Sequence, residues 1–132
     1  MVVYLTVDKI IEFNLLVLNV IRAKKADSAQ VLSRAKLSGA VNSCKNLEGD
    51  LYSKAAVLLK SLVRGHAFAS GNRRTAFIAT KYFLVLNNKK IGVRDNPENA
   101  RVLLGIRENY YSDHALREWI KIWQNQKVQK IV

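Results

Sequence analysis

Two apolar stripes at helical spacing, Leu51-Ala55-Leu58-Leu59-Leu62-Val63 and Ala76-Ala79-Tyr82-Phe83-Leu86, flank one short polar break that runs from Gly65 to Thr75. Periodicity of this kind on both sides predicts a helix, a loop and a second helix, and it disfavours strands. The break reads Gly65-His66-Ala67-Phe68-Ala69-Ser70-Gly71-Asn72-Arg73-Arg74-Thr75. Gly65 falls just past the last turn of the first stripe, where a left-handed cap is common. Gly71-Asn72 tolerates the positive backbone dihedrals that turn successive N–H groups toward one point, and the next helix start adds unpaired N–H groups and a positive dipole end. Arg73 and Arg74 carry planar, permanently charged forks suited to phosphate oxygens. His66 has an imidazole, whose ordinary pKa of about 6.5 suits it to moving a proton near neutrality. The break is therefore expected to hold an anion.

The remaining segments read as helices of the same kind. Thr6 is a plausible cap for a helix in which Val7, Ile10, Ile11, Leu15, Leu18 and Ile21 share a stripe, widened by Phe13, Leu16, Val17 and Val20, which implies a largely buried element. Arg22 to Asp27 is a polar loop, and Ser28 to Leu32 fits either a short extended segment or a helix start. Ser33 can cap a helix from about Arg34 to Cys44 whose inner face is Leu37, Ala40, Val41 and Cys44. The Leu51–Val63 stripe marks the expected central helix. Asn87-Asn88 signals a turn, Ile91 to Val93 is at most a short extended segment, and Asn96-Pro97-Glu98 has the grammar of a helix start with Val102, Leu103 and Ile106 inward. Ser112 opens the last helix, with Leu116, Trp119, Ile120 and Trp123 on one face before the basic tail Lys127 to Lys130. The expected architecture is a single all-α domain over residues 1–132, a compact bundle of about six helices.

Charge narrows the function. The net charge is +12, and from Leu51 through Arg94 there is no Asp or Glu, while Lys54, Lys60, Arg64, Arg73, Arg74, Lys81, Lys89, Lys90 and Arg94 are all basic. Such a field favours nucleotide phosphates, nucleic acid or an acidic protein. The single cysteine, Cys44, excludes an internal disulfide and fits a reducing cytoplasm. The apolar run Ile10 to Ile21 is broken by Glu12, Asn14 and Asn19, too short and polar for a membrane span of roughly 20 residues, and a signal leader is not evident. A soluble, cytoplasmic protein without a membrane partner is expected.

The pattern His66-x-Phe68-x-x-Gly71-Asn72-x-Arg74-Thr75-Ala76 resembles the signature loop of the Fic/Doc superfamily, and within it the Doc (death-on-curing) branch. Fic members usually place Gly after the Asn and a further Arg three positions beyond the motif's first Arg; here those places hold Arg73 and Phe77. Doc-like members carry Lys-Arg-Thr-Ala, matched by Arg73-Arg74-Thr75-Ala76. The resemblance implies that His66 is the catalytic general base, Phe68 a buried loop anchor, and Gly71, Asn72, Arg73 and Arg74 the nucleotide-phosphate site. It also implies a flap near residues 22–32, with a minor hairpin as its form, and inhibition by a separate antitoxin. The family's own inhibitory motif is not matched, because Cys44 stands where a hydroxyl is required before Glu48-Gly49, with Ser43 one residue early.

One family residue is replaced. Where the family carries the Asp or Glu that binds Mg²⁺, this chain has Ser70, a weak and neutral metal candidate. Three readings stay open: Mg²⁺ held mainly by ATP with one oxygen from Ser70, positive charge from Arg73 in place of the metal, or loss of catalysis. The resemblance implies a Doc-like toxin that transfers a phosphoryl, or secondarily a nucleotidyl, group from ATP or another nucleotide to a hydroxyl of a target protein, in translation. The alternative is an inactive Fic-fold module that binds nucleotide, nucleic acid or a protein through its basic face.

Overall fold

The helix that the rest surrounds is the one expected from Leu51 onward. The computed structural model describes residues 1–20, 30–89 and 97–124. It contains α1 (Val7–Val20), α2 (Arg34–Asn46), α3 (Leu51–Gly65), α4 (Asn72–Leu86), α5 (Pro97–Arg107) and α6 (Asp113–Gln124). Helix α3 packs against α2, α4, α5 and α6, while α1 covers α2 and α4. This explains the breadth of its apolar stripe: Ala55, Ala56, Leu58, Leu59, Leu62 and Val63 are all buried. The all-α expectation holds, with no strand element among the described residues.

The helix starts follow local chemistry. Thr6 Oγ1 accepts from Lys9 N at 3.1 Å, Ser33 Oγ from Lys36 N at 3.1 Å and Ser112 Oγ from Ala115 N at 3.1 Å, so each hydroxyl satisfies one orphan donor. Asp50 caps α3 by accepting from Ser53 N at 2.9 Å, and the same carboxylate pairs with Arg117 of α6. Helix α2 ends on a lysine borrowed from α3. The buried Lys54 ammonium donates to the carbonyls of Cys44 (3.2 Å), Lys45 (3.2 Å) and Leu47 (2.6 Å), and lies over the Tyr4 ring. At the expected Asn87-Asn88 turn, Asn88 is left-handed, and the Asn87 side chain pairs with both backbone groups of Val3, fastening the N-terminal segment. Helix α5 closes with left-handed Asn109 and a bond from Tyr110 N to Gly105 O, and Tyr111 lies where a side chain at 105 would stand.

Three expectations need correction. The left-handed residue after α3 is His66 (φ 51°, ψ 49°), and Gly65 is helical. Histidine is among the few side chains that tolerate this region, so Gly65 need not supply the cap. Helix α1 is less buried than its apolar content suggests: Leu15 and Leu16 are 52% and 53% exposed, because α2 and α4 cover only one side. Lys54 is not a surface cation: it is buried, with its ammonium hydrogen-bonded to the α2 carbonyls. At the described edge of the expected flap, Val31 makes an antiparallel bridge to Phe68, while residues 21–29, where the hairpin was expected, lie outside the described residues. The polar loop from Arg22 to Asp27, Ile91 to Val93, the Asn96 cap and the basic tail lie outside the described residues.

Candidate functional site

The α3–α4 loop is held from three sides. On one, the segment before α2 pairs with its backbone: Leu32 N and Ser33 N donate to Ala67 O (2.7 and 3.2 Å), and Ala69 N donates to Gln30 O (3.0 Å). From within, the Asn72 carboxamide closes the loop on itself, accepting from Phe68 N at 3.0 Å and donating to Phe68 O at 2.8 Å. Phe68 is 2% exposed and anchors the turn in the core. The third restraint comes from α1. Asn14, itself 2% exposed, donates through Nδ2 to Ser70 O (2.9 Å) and to Thr75 Oγ1 (3.1 Å).

These restraints shape the start of α4. Gly71 sits at φ 78°, and a Cβ there would lie 3.3 Å from both Asn14 Nδ2 and Leu18 Cδ2, so backbone and space both call for glycine. The N-cap residue is Gly71 itself, which has no side chain to cap this end of α4. The first helical bond runs from Thr75 N to Gly71 O (2.9 Å), so the N–H groups of Asn72, Arg73 and Arg74 precede it, at the positive end of the dipole. An anion is the natural cap for such an end.

The loop opens on a cavity of about 1040 Å³ bounded by α3, the loop, α4 and α5. His66, Ser70, Gly71, Asn72, Arg73 and Arg74 all line it, so the residues singled out in the sequence, Phe68 apart, come together on one surface. Phe68 stands behind them as an anchor. His66 is exposed, and its Nδ1 lies 3.4 Å from Asn72 Nδ2, which places the ring beside the closed loop. Its left-handed backbone is the kind of strain that collects at functional positions.

Several lining residues were not legible beforehand. Lys81 of α4 and Arg101 and Arg107 of α5 bring the cationic side chains of the wall to five, with no carboxylate among the lining residues. Phe77, Ile78, Leu103 and Leu104 add an apolar surface, and the Lys81 ammonium lies 5.5 Å from the Phe77 ring centroid. Two other basic residues of the acid-free stretch act elsewhere: Lys60 pairs with Asp113 at 3.0 Å and Lys89 lies over the Tyr52 ring. Cation forks, an uncapped helix start, a left-handed histidine and an asparagine-closed loop form one constellation. A sequence model of the Fic/DOC family matches residues 4–84, which covers α1 to α3, the whole loop and most of α4. The chain belongs to the Fic/DOC family. It is also 41% identical over 54 residues to Toxin Doc of Mycolicibacterium smegmatis (strain ATCC 700084 / mc(2)155), a match covering 41% of this chain and 42% of that protein. The aligned chain thus spans less than half of that relative's length.

The metal that the Fic/Doc resemblance implies does not fit the residues present. Ser70 offers a neutral hydroxyl where a carboxylate is needed, and five cations line the same wall. Among the described residues no group of three or more His, Cys, Asp or Glu gathers that could hold a metal ion. Mg²⁺ seeks charged oxygen ligands in octahedral array, and one serine among arginines is a poor substitute. No helix among the described residues is long and apolar enough to cross a membrane.

Proposed function

We propose that this member of the Fic/DOC family is the toxin of a toxin–antitoxin pair and transfers the γ-phosphoryl group of ATP to a hydroxyl of a protein of the translation apparatus. The observation that carries this reading is the shared cavity, in which His66 and the uncapped, arginine-flanked start of α4 face the same space. A volume near 1040 Å³ suits a nucleotide, with apolar side chains for a base and cations for its phosphates. The His66 imidazole takes the proton of the attacking hydroxyl as its oxygen bonds to the γ-phosphorus, and the bond from that phosphorus to the bridging oxygen breaks, releasing ADP. Arg73, Arg74 and the first N–H groups of α4 stabilise charge on the transferring oxygens, where positioning and electrostatics supply most of the catalysis. A separate antitoxin would act by covering the loop.

The test is ATP labelled at the γ or the α position, incubated with the protein and a cell extract. Label on one protein band from the γ position alone is the expected result, and it disappears with His66→Ala, since loss of a general base costs about 10² to 10⁴ in rate. Label from the α position alone establishes nucleotidyl transfer and overturns the phosphoryl reading. A second reading rests on Ser70: an inactive module that keeps the cavity for binding nucleotide, nucleic acid or a protein. Binding of ATP with no transfer to any band, under any metal, would establish it.

A further inference from the structure

We infer that the cavity binds a nucleoside triphosphate as the metal-free anion, and that Arg101 and Arg107 of α5 supply the charge neutralisation that a magnesium ion would otherwise provide. The inference rests on the nucleotide reading above and goes beyond it in two ways: it names the charge state of the ligand and assigns two residues to it. Both arginines line the cavity from α5, the wall supplied by neither the loop nor α4. An anion held by Arg73 and Arg74 on one wall therefore meets a second pair of guanidinium groups, and Lys81 adds another cation.

The chemistry favours the free anion for two reasons. A triphosphate that carries Mg²⁺ has lost two of its negative charges and commits phosphate oxygens to the metal, so it is attracted less by a cationic wall and has fewer oxygens to offer it. A bound metal would also stand among five cations with no lining carboxylate to offset the repulsion. Arg107 does have a carboxylate neighbour outside the lining set, Glu108, at 3.4 Å from Nε. Both side chains of that pair are more than half exposed, so the contact is weak and a polyphosphate displaces it. The apolar residues Phe77, Ile78 and Leu104 along the same cavity leave a place for the base, which distinguishes a nucleotide from bare polyphosphate.

Calorimetric titration of the full chain with ATP, once in EDTA and once in saturating Mg²⁺, tests this without reference to activity. The expected result is tighter binding in EDTA. In that condition Arg101→Ala/Arg107→Ala weakens binding about tenfold, because two half-exposed charge-assisted contacts each contribute about threefold. Arg101→Lys/Arg107→Lys retains most of the affinity. Lys45→Ala/Lys89→Ala, which removes the same charge at or just beyond the ends of α2 and α4 that lie away from the loop, leaves it within about twofold, since distant charges are screened. Circular dichroism establishes that each variant is folded. Tighter binding in Mg²⁺ than in EDTA, or equal losses in the Lys45/Lys89 and α5 variants, overturns the inference while the nucleotide reading stands. Absence of ATP binding in both conditions overturns the two together.

Discussion

Replacing Asn14 tests whether a helix far from the loop in sequence holds the anion site in shape. Asn14 is 2% exposed and its Nδ2 makes two bonds, to Ser70 O at 2.9 Å and Thr75 Oγ1 at 3.1 Å. Asn14→Ala removes both and leaves a small void. The Thr75 hydroxyl is 1% exposed and loses its donor outright, whereas the Ser70 carbonyl belongs to a partly exposed residue that water can reach. A lost hydrogen bond contributes about 1 kcal/mol and a stranded buried partner somewhat more, so the expected destabilisation is about 2–3 kcal/mol. With a urea slope of about 1–3 kcal/mol per molar for a small domain, the midpoint should fall by about 1–2 M. Asn14→Asp keeps the size but turns the donor into an acceptor facing the Ser70 carbonyl, and should destabilise at least as much. Calorimetry on the folded Ala variant should show weaker ATP binding, because Ser70 leads directly into Gly71. An Asn14→Ala protein whose midpoint and ATP affinity both match the parent would refute the claim that α1 positions the loop.

Three further outcomes follow from other contacts. Asp50 is held well below the usual carboxylate range chiefly by its hydrogen bond from Arg117, against partial desolvation and with help from Ser53. A depressed carboxyl stabilises the fold above its unfolded pKa of about 3.9, and that contribution is lost as pH falls from there through the lower folded value. The Tm gap between the parent and Asp50→Asn should therefore hold from neutral pH to about 4 and shrink below it; a gap constant to pH 2 would count against the pair. Thr80 Oγ1 is fully buried with no hydrogen-bond partner among the described residues, so Thr80→Val should be neutral or stabilising by up to about 1 kcal/mol in urea melts, and a loss larger than that would reveal a hidden partner. Burial pushes the Cys44 thiol up to about 11, although nearby Lys54 pulls the other way, so iodoacetamide at pH 8 should modify it only as the protein unfolds. Rapid stoichiometric labelling of the native protein would contradict that burial.

What could be read in the sequence was what depends on neighbours along the chain. Thr6, Ser33 and Ser112 announce helix starts because a cap bonds only two or three residues onward, and the stripe of α3 announces a central helix because burial on many sides leaves no polar face. The loop residues from His66 to Arg74 could be grouped because they share one turn. Illegible residues act across the fold. Asn14 looked like a polar flaw in an apolar run, yet a buried carboxamide must spend its donors somewhere, and it spends them on Ser70 and Thr75. Lys54 looked like surface charge until α2 presented its last carbonyls to it. Arg101 and Arg107 carry no local signal at all, since only the packing of α5 on α3 turns them toward the loop's cavity. The same division explains the composition of the site. Residues that must meet an anion through backbone N–H groups have to be contiguous, whereas the side chains that fix the loop and balance its charge can come from any helix that reaches it. The inferred neutralisation by Arg101 and Arg107 follows that division, since it comes from α5, a helix that lies beyond the residues matched by the family.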